Sequence, residues 1–347
     1  RGARIKLWYA ARPQTARFVS ALTHEASSHG VDVDPIPTDG VSTPLGKLWR
    51  CGQLWSRAHR CFDTFAPDVV VGFGGWVSAP VVLAARLRPH RISALLHEQN
   101  VVMGRANRLL APWVDRVALS FHDTQAALGH IPAVITGLPI RPAIGAASRA
   151  EAAARFGFSP HQPTLLILGG SQGARAINRV MIQVAVQLSQ EERTQWQVLH
   201  LTGASDEMMV REAYAASGLT AWVASFLDDM GLAYAHADLA IARAGASTIA
   251  ELARCGIPPV LIPYPFAGGH QRANAKLVEA CGGGVVIEES HASPGRLLGV
   301  VRHLFADARL REAMGAQMQA LHASDAATRL TDAIVELAGS RTARGRP

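Results

Sequence analysis

Two glycine-rich turns in the second half of the chain have the composition of phosphate sites. Gly169-Gly170-Ser171-Gln172-Gly173-Ala174 follows the apolar run Thr164–Leu168 and precedes a helical pattern. Small residues let a ligand approach the backbone, Ser171 adds a hydroxyl, and the first amides of the following helix favour an anion. An ordinary tight turn would use the same residues. The stretch Arg243-Ala244-Gly245-Ala246-Ser247-Thr248-Ile249-Ala250-Glu251 is more specific. Gly245 makes the turn, the free amides after it suit a diphosphate, and Glu251 lies one helical turn further in. Its two carboxylate oxygens can accept two ribose hydroxyls. Thr248 and Glu251 also have the spacing of a capping box, a competing use for the same side chains.

The first half carries a third such turn, Gly72-Phe73-Gly74-Gly75-Trp76-Val77-Ser78, and a run of four polar residues, His97-Glu98-Gln99-Asn100, after the apolar run Ile92–Leu96. His97 and Glu98 are candidates for proton transfer; each alone is more often structural. Gln271 and Asn274 sit near a helix start after a proline-rich loop, Pro263–Gly269. Asp32-Val33-Asp34 has the letters of a metal-dependent sugar-transferase site but lacks acidic partners nearby.

The elements that position these residues follow one rhythm: apolar run, glycine turn, amphipathic helix. The strand candidates are Ile5–Tyr9, Val31–Ile36, Val69–Gly72, Ile92–Leu96 and Val114–Leu119, then Thr164–Leu168, Gln197–Leu201, Thr220–Ala224, Leu239–Ala242, Val260–Pro263 and Val285–Ile287. Strands alternating with helices imply parallel sheets with right-handed crossovers. Two such series predict an α/β chain of two doubly wound domains facing a cleft. The break is read near residues 137–148. The expected division is residues 1–140, residues 141–339 with the C-terminal helices, and a disordered basic tail over 340–347.

The 347 residues carry a net charge of +7 and are 49% hydrophobic, which excludes a disordered chain. All of the excess charge falls in residues 1–145, with 16 basic and 9 acidic residues, and five of the seven tryptophans lie there too. Basic residues beside tryptophan suit lipid headgroups. The four cysteines, Cys51, Cys61, Cys255 and Cys281, include no CxxC pair, so neither zinc nor a redox pair is indicated. No G-x-G-x-x-G follows a strand with an acidic residue ~20 positions on, which argues against a dehydrogenase.

Taken in order, GFGGWVS at 72–78, HEQN at 97–100, TGLPIR at 136–141, GGSQGA at 169–174, FLDDM at 226–230, RAGASTIAEL at 243–252 and HQRANA at 270–275 resemble the MurG family. These are undecaprenyldiphospho-muramoylpentapeptide N-acetylglucosaminyltransferases. The resemblance implies a GT-B fold and inverting transfer from UDP-N-acetylglucosamine to lipid I, forming lipid II without cofactor or metal. It implies donor contacts from Asn100, Arg141, Ser171, Leu227, Ala246, Ser247, Thr248, Ile249, Ala250, Glu251 and Gln271. Gly74, Gly75 and Ser78 would line the acceptor side near the lipid pyrophosphate. It further implies a peripheral place on the cytoplasmic face of the bacterial inner membrane, beside other cell-wall and division proteins, and no nucleic-acid partner. Leu48, Trp49, Trp55, Arg108 and Trp113 are the expected contacts with an anionic membrane surface.

The family's first loop, G-G-T-G-G-H, supplies its favoured base and has no counterpart here. The chain is read as starting downstream of it, which leaves Glu98 and His97 as candidate bases. Two alternatives stay open at this stage: another UDP-sugar enzyme of the same fold, such as a glycolipid synthase or an epimerase, or an inactive UDP-sugar-binding scaffold.

Overall fold

The structure is a computed structural model that describes residues 3–11, 26, 28–37, 44–170 and 173–343. In the first domain β1 (Ile5–Ala11) pairs with β2 (Val31–Pro37). The helix α1 (Pro44–Phe65), β3 (Val69–Gly72), α2 (Gly75–Arg86), β4 (Ser93–Glu98), α3 (Arg105–Leu110), β5 (Arg116–Leu119) and β6 (Ala133–Ile135) follow. Strands β3-β4-β5-β6 form a second parallel sheet in that order. The short β6 is additional to the strands expected from the sequence; three residues carry too little pattern to stand out.

The second domain begins with α4 (Arg149–Phe156), β7 (Thr164–Leu168), α5 (Arg175–Gln187), α6 (Gln190–Gln195), β8 (Gln197–Leu201) and α7 (Glu207–Ser217). It continues through β9 (Thr220–Ala224), α8 (Met230–His236), β10 (Leu239–Ala242), α9 (Ala246–Cys255), β11 (Pro259–Leu261), α10 (His270–Ala280) and β12 (Val285–Val286). Three helices close the chain: α11 (Pro294–Ala306), α12 (Ala308–Ala320) and α13 (Ala326–Ala343). The six strands run parallel in the order β12-β11-β10-β7-β8-β9.

Strands β7 and β10 are buried along their whole length, which explains their unbroken apolar sequences. Period-two alternation sends Leu165 and Ile167 into one core and Leu166 and Leu168 into the core on the opposite face. The strand order reverses between β7 and β10, whose last residues, Leu168 and Ala242, are partners. The two glycine turns of the second domain therefore leave the sheet side by side, at the crevice where α/β sheets bind ligands.

The expected domain boundary needs one correction. Helix α13 does not belong to the second domain's packing. Leu330, Ala333 and Leu337, one helical face, form a core with Leu95 of β4 and Ala118 of β5. Ser93 Oγ donates to the Leu337 carbonyl at 3.5 Å, and Arg116 pairs with Glu336 at 2.6 Å. The tail also differs from expectation: the helix continues to Ala343, and residues 344–347 lie outside the described residues. The chain thus crosses between domains twice, and the crossings touch. Gly137 has φ +79°, and a Cβ there would lie 2.4 Å from Cβ of Ala323. Gly137→Ala adds both strain and overlap. It is expected to cost about 1–3 kcal/mol, seen as a lower urea midpoint; an unchanged midpoint would show that the crossings separate freely.

Candidate functional site

On the second domain's side, the loop after β7 is fixed from below. A Cβ on Gly173 would lie 2.1 Å from the Thr202 carbonyl oxygen, so only glycine admits this approach. That carbonyl accepts from Asn178 Nδ2 at 2.9 Å, and the same nitrogen donates to Asp206 Oδ2 at 2.8 Å. Asn178 Oδ1 accepts from His200 Nε2 at 3.0 Å, while His200 Nδ1 accepts from the Tyr214 hydroxyl at 2.8 Å. Burial drops the His200 pKa to about 3, so the ring stays neutral in this role. Ser171, expected at the tip of the loop, lies outside the described residues.

Helix α9 opens at Gly245, and no side chain among the described residues caps it. The capping-box alternative is not realised. Glu251 instead accepts from the Tyr234 hydroxyl at 2.7 Å. Burial raises the Glu251 pKa, against the opposing influence of Tyr234 and Arg141. Ser247 is exposed, and Thr248, Ala250 and Glu251 are half-buried. Ala246, Ile249 and Leu227 point into protein, so these three offer a ligand their backbone rather than their side chains. Arg141 Nη1 donates to the Asp228 carbonyl at 3.4 Å, which joins the interdomain segment to the loop after β9. Gln271 Oε1 accepts from Tyr264 N at 2.9 Å, and the Arg243 guanidinium stacks 5.3 Å from the Tyr264 ring centroid.

Across the cleft, Ser78 Oγ donates to the Gly74 carbonyl at 2.6 Å and locks the turn that contains Gly74 and Gly75. The two candidate bases have other employment. Glu98 is 1% exposed. Its Oε1 accepts from the backbone N and the Nδ2 of Asn100, at 3.0 and 3.1 Å. Its Oε2 accepts from Gly104 N and Asn107 Nδ2, at 2.9 and 2.8 Å. His97 is fully buried; Nε2 faces the Gly137 carbonyl at 3.2 Å and Nδ1 faces Gln99 Nε2 at 3.1 Å. Burial lowers its pKa. Four N–H donors on Glu98, and partners on both ring nitrogens of His97, occupy the lone pairs that a substrate proton would need, which argues against either as the base. Both organise the loop instead.

Asn274 holds a place between the domains that its position in the sequence did not show. It is fully buried, and its Nδ2 donates to Asn100 Oδ1 at 3.0 Å and to the Ala244 carbonyl at 3.1 Å. Its Oδ1 accepts from Val101 N at 3.0 Å. His270 Nδ1 meets the Val102 carbonyl at 3.0 Å one turn earlier. The available signal was its place three residues after Gln271, on the same side of a helix. Asn100, expected to bind the donor, has spent its oxygen on Asn274 and one amide hydrogen on Glu98.

The peripheral residues divide. Leu48, Trp49, Leu109 and Trp113 are 71, 62, 68 and 48% exposed, and Arg108 is exposed beside them in sequence. Trp55 differs from expectation: it packs against the first domain's core. The Asp32 and Asp34 carboxylates hold Lys6 at 2.5 and 3.1 Å, and Asp34 also accepts from Trp8 Nε1 at 3.1 Å, so this pair is structural.

Comparison with known proteins agrees with this fold. Residues 1–119 match the glycosyltransferase family 28 N-terminal domain and residues 164–330 its C-terminal domain. The chain is 42% identical to a Nocardioides UDP-N-acetylglucosamine–N-acetylmuramyl-(pentapeptide) pyrophosphoryl-undecaprenol N-acetylglucosamine transferase, over 89% of this chain and 84% of that one. It is 38% identical to the protein of the same name from Mesorhizobium japonicum, over 91 and 84%. The crystal structure of Acinetobacter baumannii MurG superposes with a TM-score of 0.71 at 26% identity, over 96% of this chain and all of that one.

The role given to Glu98 is open to test. In Glu98→Gln an NH2 group replaces one acceptor and faces buried N–H donors. A loss of about 1–3 kcal/mol of stability is expected by urea unfolding. Lost turnover with an unchanged unfolding midpoint would restore Glu98 as a base.

Proposed function

The chain belongs to glycosyltransferase family 28, and on that footing we propose that its cleft transfers N-acetylglucosamine from UDP-N-acetylglucosamine to the 4-hydroxyl of the muramoyl sugar of lipid I. The products are lipid II and UDP. The observation that carries this reading is the start of α9, an uncapped helix N-terminus with Glu251 one turn inside it, at the switch point of the second sheet. The uncapped first-turn amides face where a diphosphate would gather charge as the sugar leaves, and fixed dipoles stabilise that charge without reorganising. Glu251, already oriented by Tyr234, takes the ribose hydroxyls. Arg141, Gln271 and the backbone at Leu227 complete the donor pocket.

Gly74 and Gly75, held by Ser78, offer the acceptor's pyrophosphate a backbone surface on the opposite wall. Attack in line with the departing diphosphate inverts the anomeric centre. The alternatives of a scaffold or a different UDP-sugar enzyme are set aside, since relatives at 38 and 42% identity are named as transferases of this one reaction.

The acceptor is a lipid, and the first domain has a surface suited to meeting it. Among the described residues no helix is long and apolar enough to cross a membrane. Leu48, Trp49, Leu109 and Trp113 are exposed instead, with Arg50, Arg105 and Arg108 close in sequence. Apolar and aromatic tips among arginines are the makings of peripheral binding to an anionic leaflet.

Two experiments test these statements. With radiolabelled UDP-N-acetylglucosamine and a lipid I analogue, the donor KM should climb as pH falls, starting above the ordinary carboxylate range because burial raises Glu251. Protonation removes an acceptor, so Glu251→Gln should raise the KM about tenfold or more and abolish that acid limb; an acid limb that survives in the variant would exclude Glu251. Trp49→Ala/Trp113→Ala is expected to reduce flotation with anionic vesicles severalfold, and undiminished flotation would place the membrane contact elsewhere.

A further inference from the structure

We propose that Asn274 is an interdomain positioning residue for transfer: its buried amide sets where the donor helix stands relative to the acceptor wall. The inference rests on the transfer reading above and adds a device that couples the two half-sites.

The argument is one of hydrogen-bond polarity. Glu98 presents only acceptors, so Asn100 must turn its Nδ2 toward Glu98 and its Oδ1 away, into the interface. That oxygen needs a donor, and Asn274 Nδ2 supplies it at 3.0 Å. With its nitrogen so placed, the Asn274 oxygen faces the other way and receives Val101 N at 3.0 Å. The second hydrogen of Asn274 Nδ2 reaches the Ala244 carbonyl at 3.1 Å, immediately before Gly245, where α9 begins. One directed chain thus runs from Glu98 at the end of β4, through Asn100 and Asn274, to the residue that precedes the diphosphate-facing helix turn. Each amide has a single productive orientation, because reversing any one of them sets oxygen against oxygen.

A plain stabilising contact between domains would not need this order. An amide with no exposed surface and three hydrogen bonds, two to one domain and one to the donor loop of the other, is a rigid spacer between the halves of a catalytic cleft. Transfer in line requires the attacking hydroxyl and the anomeric carbon to be held close, and a displacement of about 1 Å can cost on the order of a hundredfold in rate. Asn274 therefore acts on kcat more than on donor affinity.

The test uses the full chain and the variant Asn274→Asp. A protonated aspartic acid keeps the acceptor and one of the amide's two donors; ionised, it offers only acceptors to Asn100 Oδ1 and the Ala244 carbonyl. Measured against the native chain, the kcat of Asn274→Asp is expected to fall on the order of tenfold or more from about pH 6 to about pH 9, with the donor KM ratio changing less than about threefold. Glu98, Arg243 and His270 stand on the segments that meet Asn274, and Arg272 and Lys276 flank it on its own helix; division by the native rate cancels their titration. A kcat that stays within about twofold of the native value across this range overturns the proposal. Should the variant not fold, the cycle of Asn100→Ala, Asn274→Ala and the double variant decides. A double variant within about twofold of the weaker single variant supports one shared device, and multiplied losses overturn it. If the native chain releases no UDP with the lipid I analogue, the transfer reading fails by itself, and small-angle scattering still reads the spacer. Asn274→Asp should then expand between the same two pH values, and an unchanged radius of gyration counts against the spacer.

Discussion

A carboxylate with almost no exposed surface organises the cleft. Glu98 sits at the last position of β4, where the parallel strand ends and backbone donors lose their ladder partners. Burying such a group is costly unless every lone pair is answered. Here two backbone N–H groups and two asparagine amides answer it. In satisfying the carboxylate they fold the loop from Asn100 to Gly104, seat α3, and orient the amide that crosses to the second domain. Asn107, one of those donors, also borders the Gly74 turn, so the acceptor wall is built against the same group.

The donor wall is organised by a different economy. Its loops lie over a buried polar network that runs from Tyr214 through His200 and Asn178 to the Asp206 carboxylate. Asn178, His200 and Tyr214 form a neutral chain beneath the loop after β7, with burial keeping the imidazole uncharged and its tautomer set by its neighbours. Above that layer the first-turn amides of α9 have no side-chain cap and Ser247 is exposed. A rigid, satisfied layer under an unsatisfied one is what electrostatic preorganisation requires. The two crossings of the chain lie against each other at Gly137 and Ala323, and α13 carries the second domain's chain back onto the first domain's sheet.

Much of this was legible because local chemistry and fold agree here. The apolar runs at Thr164–Leu168, Gln197–Leu201, Thr220–Ala224 and Leu239–Ala242 are the observed strands residue for residue. Their signals are periodicity and glycine punctuation, which neighbours in sequence determine. Less legible were features whose cause lies far along the chain. Trp55 reads like Trp49 in the sequence, yet one packs on the core and the other faces solvent, because the helix's orientation is set by what it covers. The final helix has an apolar face that says it must pack, but not on which domain.

The amino-acid sequence by itself determined the two series of parallel strands, the positions of the glycine turns at strand ends and the match to the two domains of family 28. These depend on the pattern of neighbours, and the pattern is written in order. Only the tertiary structure decided what the polar residues within those motifs do. His97 and Glu98 have the right chemistry for proton transfer, but burial and complete pairing turn them into scaffolding. Asn274 is an ordinary letter in a helix until the fold sets it against Asn100, 174 residues away. A side chain's role depends on which of its lone pairs and hydrogens remain unspent, and that is settled by partners the sequence does not place beside it.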